Sequence, residues 1–206
     1  MRRNPQHNAG ILYQIADGQE GYFTAAQARQ AGYAYSQQHY HVSSGRWQKI
    51  ERGLFRLRDY PPGEREDLVR LTLWSHNRKG KPQATVSHYT ALAVHNLSDL
   101  MPVEIHLTVP PRFRKEPPPG CVFHKAILTQ CDSEQRPGYR ITTPLRTLFD
   151  IADTPLSQEH LNKAVQDALE MGLVRRGLLQ TASGSFTARQ RLDQSLLAAQ
   201  RQELLT

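Results

Sequence analysis

Apolar residues recur at helical spacing from the start of the chain, where Ile11, Leu12 and Ile15 predict a helix over 7–16 that Asp17-Gly18 stops. A short extended segment, Gly21-Tyr22-Phe23, leads to Thr24, whose hydroxyl suits an N-cap for a second helix over 25–31. Gly32 closes that helix, and Tyr33 leads into a third helix over 35–44 that ends at Gly45. Two short strands follow at 46–50 and 54–58, joined by Glu51-Arg52-Gly53, with Ile50, Leu54, Phe55 and Leu57 as their apolar anchors. Pro61-Pro62-Gly63 then interrupts the pattern, either as a domain boundary or as a rigid turn inside one domain.

Beyond the break, Leu68, Leu71 and Trp74 form one stripe of a helix over 64–77. Residues 84–87 predict a short strand and 88–95 a short helix. Residues 103–109, VEIHLTV, alternate strictly and give the clearest strand, which Pro110 ends. The proline-rich stretch 110–120 is an exposed loop, and strands near 121–128 and 138–142 are expected to pair with 103–109. Thr143-Pro144 opens a helix by cap and first-turn proline together, with Leu145, Leu148, Phe149 and Ala152 on its buried face. Ser157 caps the next, where Leu161, Ala164, Val165, Ala168 and Leu169 form a stripe. Shorter and weaker helical patterns follow at 174–181 and 187–204. The expected fold class is α+β. A winged helix-turn-helix occupies 1–60, and a mixed α/β domain with a small sheet and several helices occupies 64–206.

Charge sharpens the first half of this picture. The net charge is +7, which favours a polyanionic partner. Much of it is concentrated in 46–58, where Arg46, Lys49, Arg52, Arg56 and Arg58 face a single carboxylate, Glu51. Three short helices followed by a basic two-stranded hairpin is the order of a winged helix-turn-helix, in which a helix enters the major groove and the hairpin sets cations beside phosphates. On the helix 35–44, a rotation of about 100° per residue groups Tyr35, Gln38, His39 and Val42 in one arc, expected to pack inward. Ser36, Gln37, Tyr40, His41 and Ser44 fall on the opposite, carboxylate-free arc. Gln37 and His41 are the candidates for base readout, since Gln can bond adenine bidentately and His can donate to guanine N7 or to a phosphate. Ser36, Tyr40 and Ser44 are candidate phosphate contacts, as are Arg46, Lys49, Arg52 and Arg56 on the wing. Palindromic DNA would need two copies of this head, so a dimer on DNA is expected.

Other chemistries find little support. No apolar run approaches the roughly 18 residues of a membrane span, and the basic start MRRNPQHNAG leads into no signal-peptide core. The two cysteines, Cys121 and Cys131, are too few for a disulfide framework, so a cytoplasmic protein with reduced thiols is expected; a bridge between the two is the alternative. Cys121, His124 and Cys131 lie near one another, yet no paired ligand element completes a zinc set. His88 and His95 share a helical face without a third ligand. No metal site, cofactor or catalytic residue is therefore assigned. No strand carries the acidic and lysine set of a Mg²⁺-dependent nuclease; Glu104 and His106 share a strand face by alternation alone.

The segment GYFTAAQARQAGYAYSQQHYHVSSGRWQKIERGLFRL (21–57) resembles the N-terminal domain of AbiEi-like antitoxins from abortive-infection type IV toxin–antitoxin systems. SHYTALAVHNL (87–97), EIHLTVPPRFR (104–114) and ITTPLRTLFDIAD (141–153) resemble successive segments of that family's C-terminal domain, so the likeness spans about residues 7 to 180. The chain departs from the pattern at Gln37 and Gln38, where relatives often carry an apolar pair. The resemblance implies a winged helix that binds inverted repeats in its own promoter as an autorepressor. It also implies a C-terminal domain that counteracts a nucleotidyltransferase-like toxin without a stable complex, and no enzymatic activity. The competing expectations are a winged-helix regulator with a ligand-sensing or dimerisation domain, and a DNA-targeted nuclease.

Overall fold

A computed structural model describes residues 5–203 of the chain. It is an α+β structure whose described residues divide into two compact units, one of 5–83 with 135–139 and one of 84–134 with 140–203.

In the first unit, α1 (Pro5–Asp17), α2 (Ala25–Gln30) and α3 (Tyr35–Ser43) surround a three-stranded antiparallel sheet. Its strands are β1 (Tyr22–Thr24), β2 (Trp47–Glu51) and β3 (Leu54–Leu57), in the order β1-β3-β2. The hairpin β2–β3 is the expected wing, and the extended segment before α2 is its third strand. Gly53 takes φ +77 in the turn, a region a side chain would strain. Thr24 caps α2 as expected. Its hydroxyl accepts from the Gln27 amide at 3.2 Å while the Gln27 carboxamide accepts from the Thr24 amide at 2.8 Å. The core gathers Leu12, Ala16, Phe23, Ala28, Ala31, Tyr33, Trp47 and Phe55, with Phe23 set edge-on against Trp47 at 4.8 Å.

Helix α4 (Glu66–Trp74) belongs to this unit as well. The break at Pro61-Pro62-Gly63, expected as the boundary between 1–60 and 64–206, is therefore a turn inside the first unit, and the division falls after Gln83. The physical reason is Glu66. Its carboxylate accepts from the Tyr22 hydroxyl at 2.7 Å, from Arg56 Nη2 at 3.0 Å and from the Gly63 amide at 3.1 Å. These bonds fasten α4 to the sheet across the proline turn.

The second sheet is mixed, in the order β6-β5-β4-β8-β7. Its strands are β4 (Thr85–Val86), β5 (Ile105–Val109), β6 (Cys121–Lys125), β7 (Ser133–Arg136) and β8 (Tyr139–Thr142). β6 lies parallel to β5 as a direct neighbour. The expected pairing of 138–142 with 103–109 is not formed, because the two-residue strand β4 sits between them, antiparallel to β5 and parallel to β8. The second unit buries its core among α5 (His88–Val94), α6 (Pro144–Ala152), α7 (Gln158–Glu170), α8 (Arg176–Thr181) and α9 (Phe186–Glu203). The stripes expected on α6 and α7 are there, through Leu148, Phe149, Leu161, Ala164, Val165 and Ala168.

Candidate nucleic-acid interface

Helix α3 is set in place by one inward amide. Gln38, 3% exposed, donates from Nε2 to the carbonyls of Ala25 and Tyr33, each at 3.1 Å. That double bond clamps α3 against the start of α2 and the turn between them. Gln38 therefore packs inward, as its position on the helical wheel predicts, and Val42 is partly buried beside the core.

The rest of the face assignment changes. His41, expected to face outward, lies flat against Trp47 with centroids 4.7 Å apart and planes 17° apart, and meets Tyr33 edge-on at 5.0 Å. Burial, helped by the nearby Arg46 charge, lowers its pKa, so it packs as a neutral ring. Its Nδ1 is buried without a hydrogen-bond partner. Gln37 is exposed, but its Oε1 accepts from the Ala34 amide at 2.9 Å, closing the first turn of the helix. Gln37 and His41 both line a cleft of about 560 Å³ shared with α1 residues Asn8, Leu12 and Tyr13. Tyr35 and His39, expected to pack inward, are exposed instead, Tyr35 to 63%.

The outward face of α3 is therefore Tyr35, Ser36, His39, Tyr40 and Ser43, all exposed. At about 100° per residue they span one continuous arc of roughly 140°. Ser36 and Tyr40 keep the outward position expected of them; Ser44 is exposed just past the helix end, its hydroxyl donating to the His41 carbonyl at 3.3 Å. The misplacement arose because aromatic side chains are counted as core by default, whereas here the buried anchors are the Gln38 amide and the His41 ring. The i, i+1, i+4, i+5, i+8 spacing of the exposed set was the available signal. At the N-terminal edge of the arc, Arg29 from α2 holds Tyr35: its Nη1 donates to the hydroxyl at 3.4 Å and its guanidinium lies 5.6 Å from the ring centre. Sequence reasoning did not single out Arg29 or Ser43, and it placed Tyr35 and His39 on the opposite face.

The wing cations separate into two groups. Arg46, Lys49 and Arg52 are exposed, and among the described residues none has an ion-pair partner. Arg58 is exposed and donates to the Gly45 carbonyl. Arg56 differs, being only 9% exposed and bonded through Nη2 to Glu66 and, at 2.8 Å, to the Pro61 carbonyl. It also lies 5.5 Å from the centre of the Tyr22 ring. The expected phosphate contact at Arg56 is thus an inward-facing structural cation, spent on the Glu66 junction. The wing's only carboxylate, Glu51, is itself paired with Arg70 of α4, so it does not neutralise the neighbouring cations.

These features meet a known family. Residues 11–58 match the model described as transcriptional regulator, AbiEi antitoxin. This stretch is similar to an AbiEi antitoxin domain. No curated protein matches the chain. The AbiEi match ends within the first unit, and the segments 87–97, 104–114 and 141–153 lie outside it. It takes in α2, α3 and the wing, so the outward arc and the exposed cations all lie within the matched stretch.

In the second unit, histidines gather without forming a metal centre. The rings of His88 and His124 stack at 3.4 Å, and His106 Nδ1 lies 2.9 Å from His124 Nε2. Among the described residues, no group of three or more His, Cys, Asp or Glu side chains is placed to hold a metal ion. His95 is buried with its Nε2 on the Thr142 carbonyl at 2.8 Å, so it shares no site with His88. Cys121 and Cys131 are free thiols. Among the described residues no helix is long and apolar enough to cross a membrane.

Proposed function

We propose that this chain is a cytoplasmic, DNA-binding antitoxin that represses its own promoter by binding inverted repeats as a dimer on the DNA. One observation carries the reading: a carboxylate-free arc on α3 lies in the same domain as three exposed, unpaired wing cations, Arg46, Lys49 and Arg52. A helix face with no negative charge can approach base edges, and wing cations neutralise flanking phosphates. The match of residues 11–58 to an antitoxin and transcriptional-regulator family supports the same assignment. The contact set is Tyr35, Ser36, His39, Tyr40 and Ser43 from the helix, Ser44 at its end, and Arg46, Lys49 and Arg52 from the wing. Gln37, His41 and Arg56 act on the fold.

The second unit, on this reading, counteracts a cognate nucleotidyltransferase-like toxin without a stable complex, and the chain itself catalyses nothing. The resemblance of 87–97, 104–114 and 141–153 to the family's C-terminal domain supports that part. Fluorescence anisotropy of the full chain on a labelled duplex spanning its own promoter tests the DNA reading. Binding should weaken with salt, with a slope of about −0.9 for each phosphate neutralised. Absence of binding at low salt would overturn it. Co-expression with the product of the adjacent gene tests the antitoxin reading by rescue of growth.

A further inference from the structure

The outward arc of α3 has an unusual composition for a reading helix. Arginine or lysine bonded to guanine O6 and N7 is the commonest specific contact in the major groove, and asparagine or glutamine bonded to adenine N6 and N7 is its counterpart. None of Tyr35, Ser36, His39, Tyr40 and Ser43 supplies a guanidinium, an ammonium or a carboxamide. Of the two carboxamides on α3, Gln38 is buried on the carbonyls of Ala25 and Tyr33, and Gln37 has its oxygen held by the Ala34 amide. What the arc supplies is aromatic surface, with Tyr35 63% and Tyr40 60% exposed. Rings left this open on the face that meets DNA are free to make apolar contact, and the matching apolar feature of the major groove is the thymine C5-methyl group. Tyr35 is also pre-positioned, since Arg29 holds both its hydroxyl and its ring face. A side chain already ordered loses less freedom on binding.

We infer that Tyr35 and Tyr40 read thymine methyl groups in the major groove, so that the chain selects sites rich in A·T pairs beneath α3. This rests on the DNA-binding reading above and specifies the chemistry of its partner. The two rings lie towards opposite ends of the arc, and Ser36, His39 and Ser43 between them offer short polar groups to the adjoining base edges. The guanidinium of Arg29, at the edge of the arc, adds a cation beside the backbone.

The test begins with the full chain and a random-sequence duplex pool, from which bound DNA is enriched and sequenced. The dissociation constant of the enriched duplex is then measured with thymine and with uracil at the same positions, which removes only the methyl groups. Each methyl read should be worth about fourfold in affinity, the equivalent of roughly 0.8 kcal/mol for one buried carbon group. Tyr35→Phe and Tyr40→Phe should keep the thymine-over-uracil preference, because the ring remains. Tyr35→Ala and Tyr40→Ala should each lose the part of that preference belonging to the ring removed. An enriched site lacking A·T pairs, or equal affinity for thymine and uracil duplexes with the unaltered chain, would overturn the inference while leaving DNA binding intact. A preference retained in full by both alanine variants would overturn it too. If no duplex is enriched at all, the DNA-binding reading itself falls.

Discussion

Arg52 and Arg56 carry the same charge four residues apart on one hairpin, and their surroundings give them different work. Arg52 is exposed in the turn, whereas Arg56 is buried against Tyr22 and bonded to Glu66 and the Pro61 carbonyl. Replacing Arg56 with alanine leaves the Glu66 carboxylate and the Pro61 carbonyl without that donor. The expected cost is about 1–3 kcal/mol of first-unit stability, typical of hydrogen bonds to charged groups. Urea unfolding followed by tryptophan fluorescence measures it directly, because both tryptophans, Trp47 and Trp74, lie in that unit. Arg52→Ala should leave that midpoint unchanged and flatten the salt dependence of DNA binding by about 0.9 in slope. Equal midpoints for the two variants would remove the distinction. His41 separates the same two roles. Its ring is stacked on Trp47 and its Nδ1 is buried without a partner, so a ring of similar shape without that nitrogen should fit. His41→Phe should match or exceed the native stability, while His41→Ala should lose about 1–2 kcal/mol through the missing aromatic contact. Sequence alone could not divide these residues, because a cation reads identically whether it faces water or a carboxylate ten residues on, and an imidazole whether it faces water or a tryptophan ring.

Element boundaries were legible where a local rule fixes them. Thr24, Thr143 and Ser157 all serve as the N-caps that their side chains predict, each accepting from a backbone amide three residues on. The stripes of α6 and α7 follow from 3.6-residue periodicity, and the alternating run at 103–109 contains β5. Strand order was not legible. β4 is two residues long, too short for alternation to register, yet it occupies the centre of the sheet. Helix ends held by distant side chains were equally invisible. Arg191 of α9 donates to the carbonyls of Ala152 at 2.9 Å and Thr154 at 2.7 Å, and to the Leu156 carbonyl, just beyond the end of α6. Carbonyls at a helix end have no intrahelical donor, and one planar guanidinium here satisfies three of this neighbourhood. Arg191→Lys keeps the charge but cannot present the same fork. It should destabilise the second unit by about 1–3 kcal/mol, read as a lower midpoint in calorimetry of the full chain. A midpoint unchanged by the lysine substitution would show that charge alone suffices.

At the scale of the whole chain, the response to acid is carried in the second unit by a cluster of histidines. That unit holds His88, pushed down to about 3, and His124, pushed down to about 4, in each case chiefly by burial and then by the neighbouring histidines. His106 is lowered by burial as well. A histidine whose folded pKa lies below its unfolded value near 6.5 contributes stability that is complete above that value and is lost as pH falls through the folded pKa. Asp150 opposes this. Burial lifts its carboxyl to about 6, with the Arg146 guanidinium pulling the other way, and one carboxylate oxygen, 4.0 Å from His88 Nδ1, has no hydrogen-bond partner. Its contribution is complete below the ordinary aspartate value and is lost as pH rises through about 6. Two histidines displaced by several units outweigh one carboxyl displaced by about two, so the second unit should lose stability on acidification from pH 6.5 to 4. The slope approaches about 1.4 kcal/mol per pH unit for each proton taken up on unfolding. Asp150→Asn removes the opposing contribution, and the loss below pH 6 should become steeper than in the native chain. Calorimetry between pH 7 and 4 follows the second unit, with tryptophan fluorescence marking the first in the same samples. An Asp150→Asn profile parallel to the native one would mean that burial does not lift that carboxyl, and a second-unit midpoint that stays level across the range would mean that the stacked imidazoles take up protons in the folded chain as readily as in the unfolded one. The 3.4 Å approach of the buried His88 to His124 argues against that, since two imidazolium rings at such a distance repel.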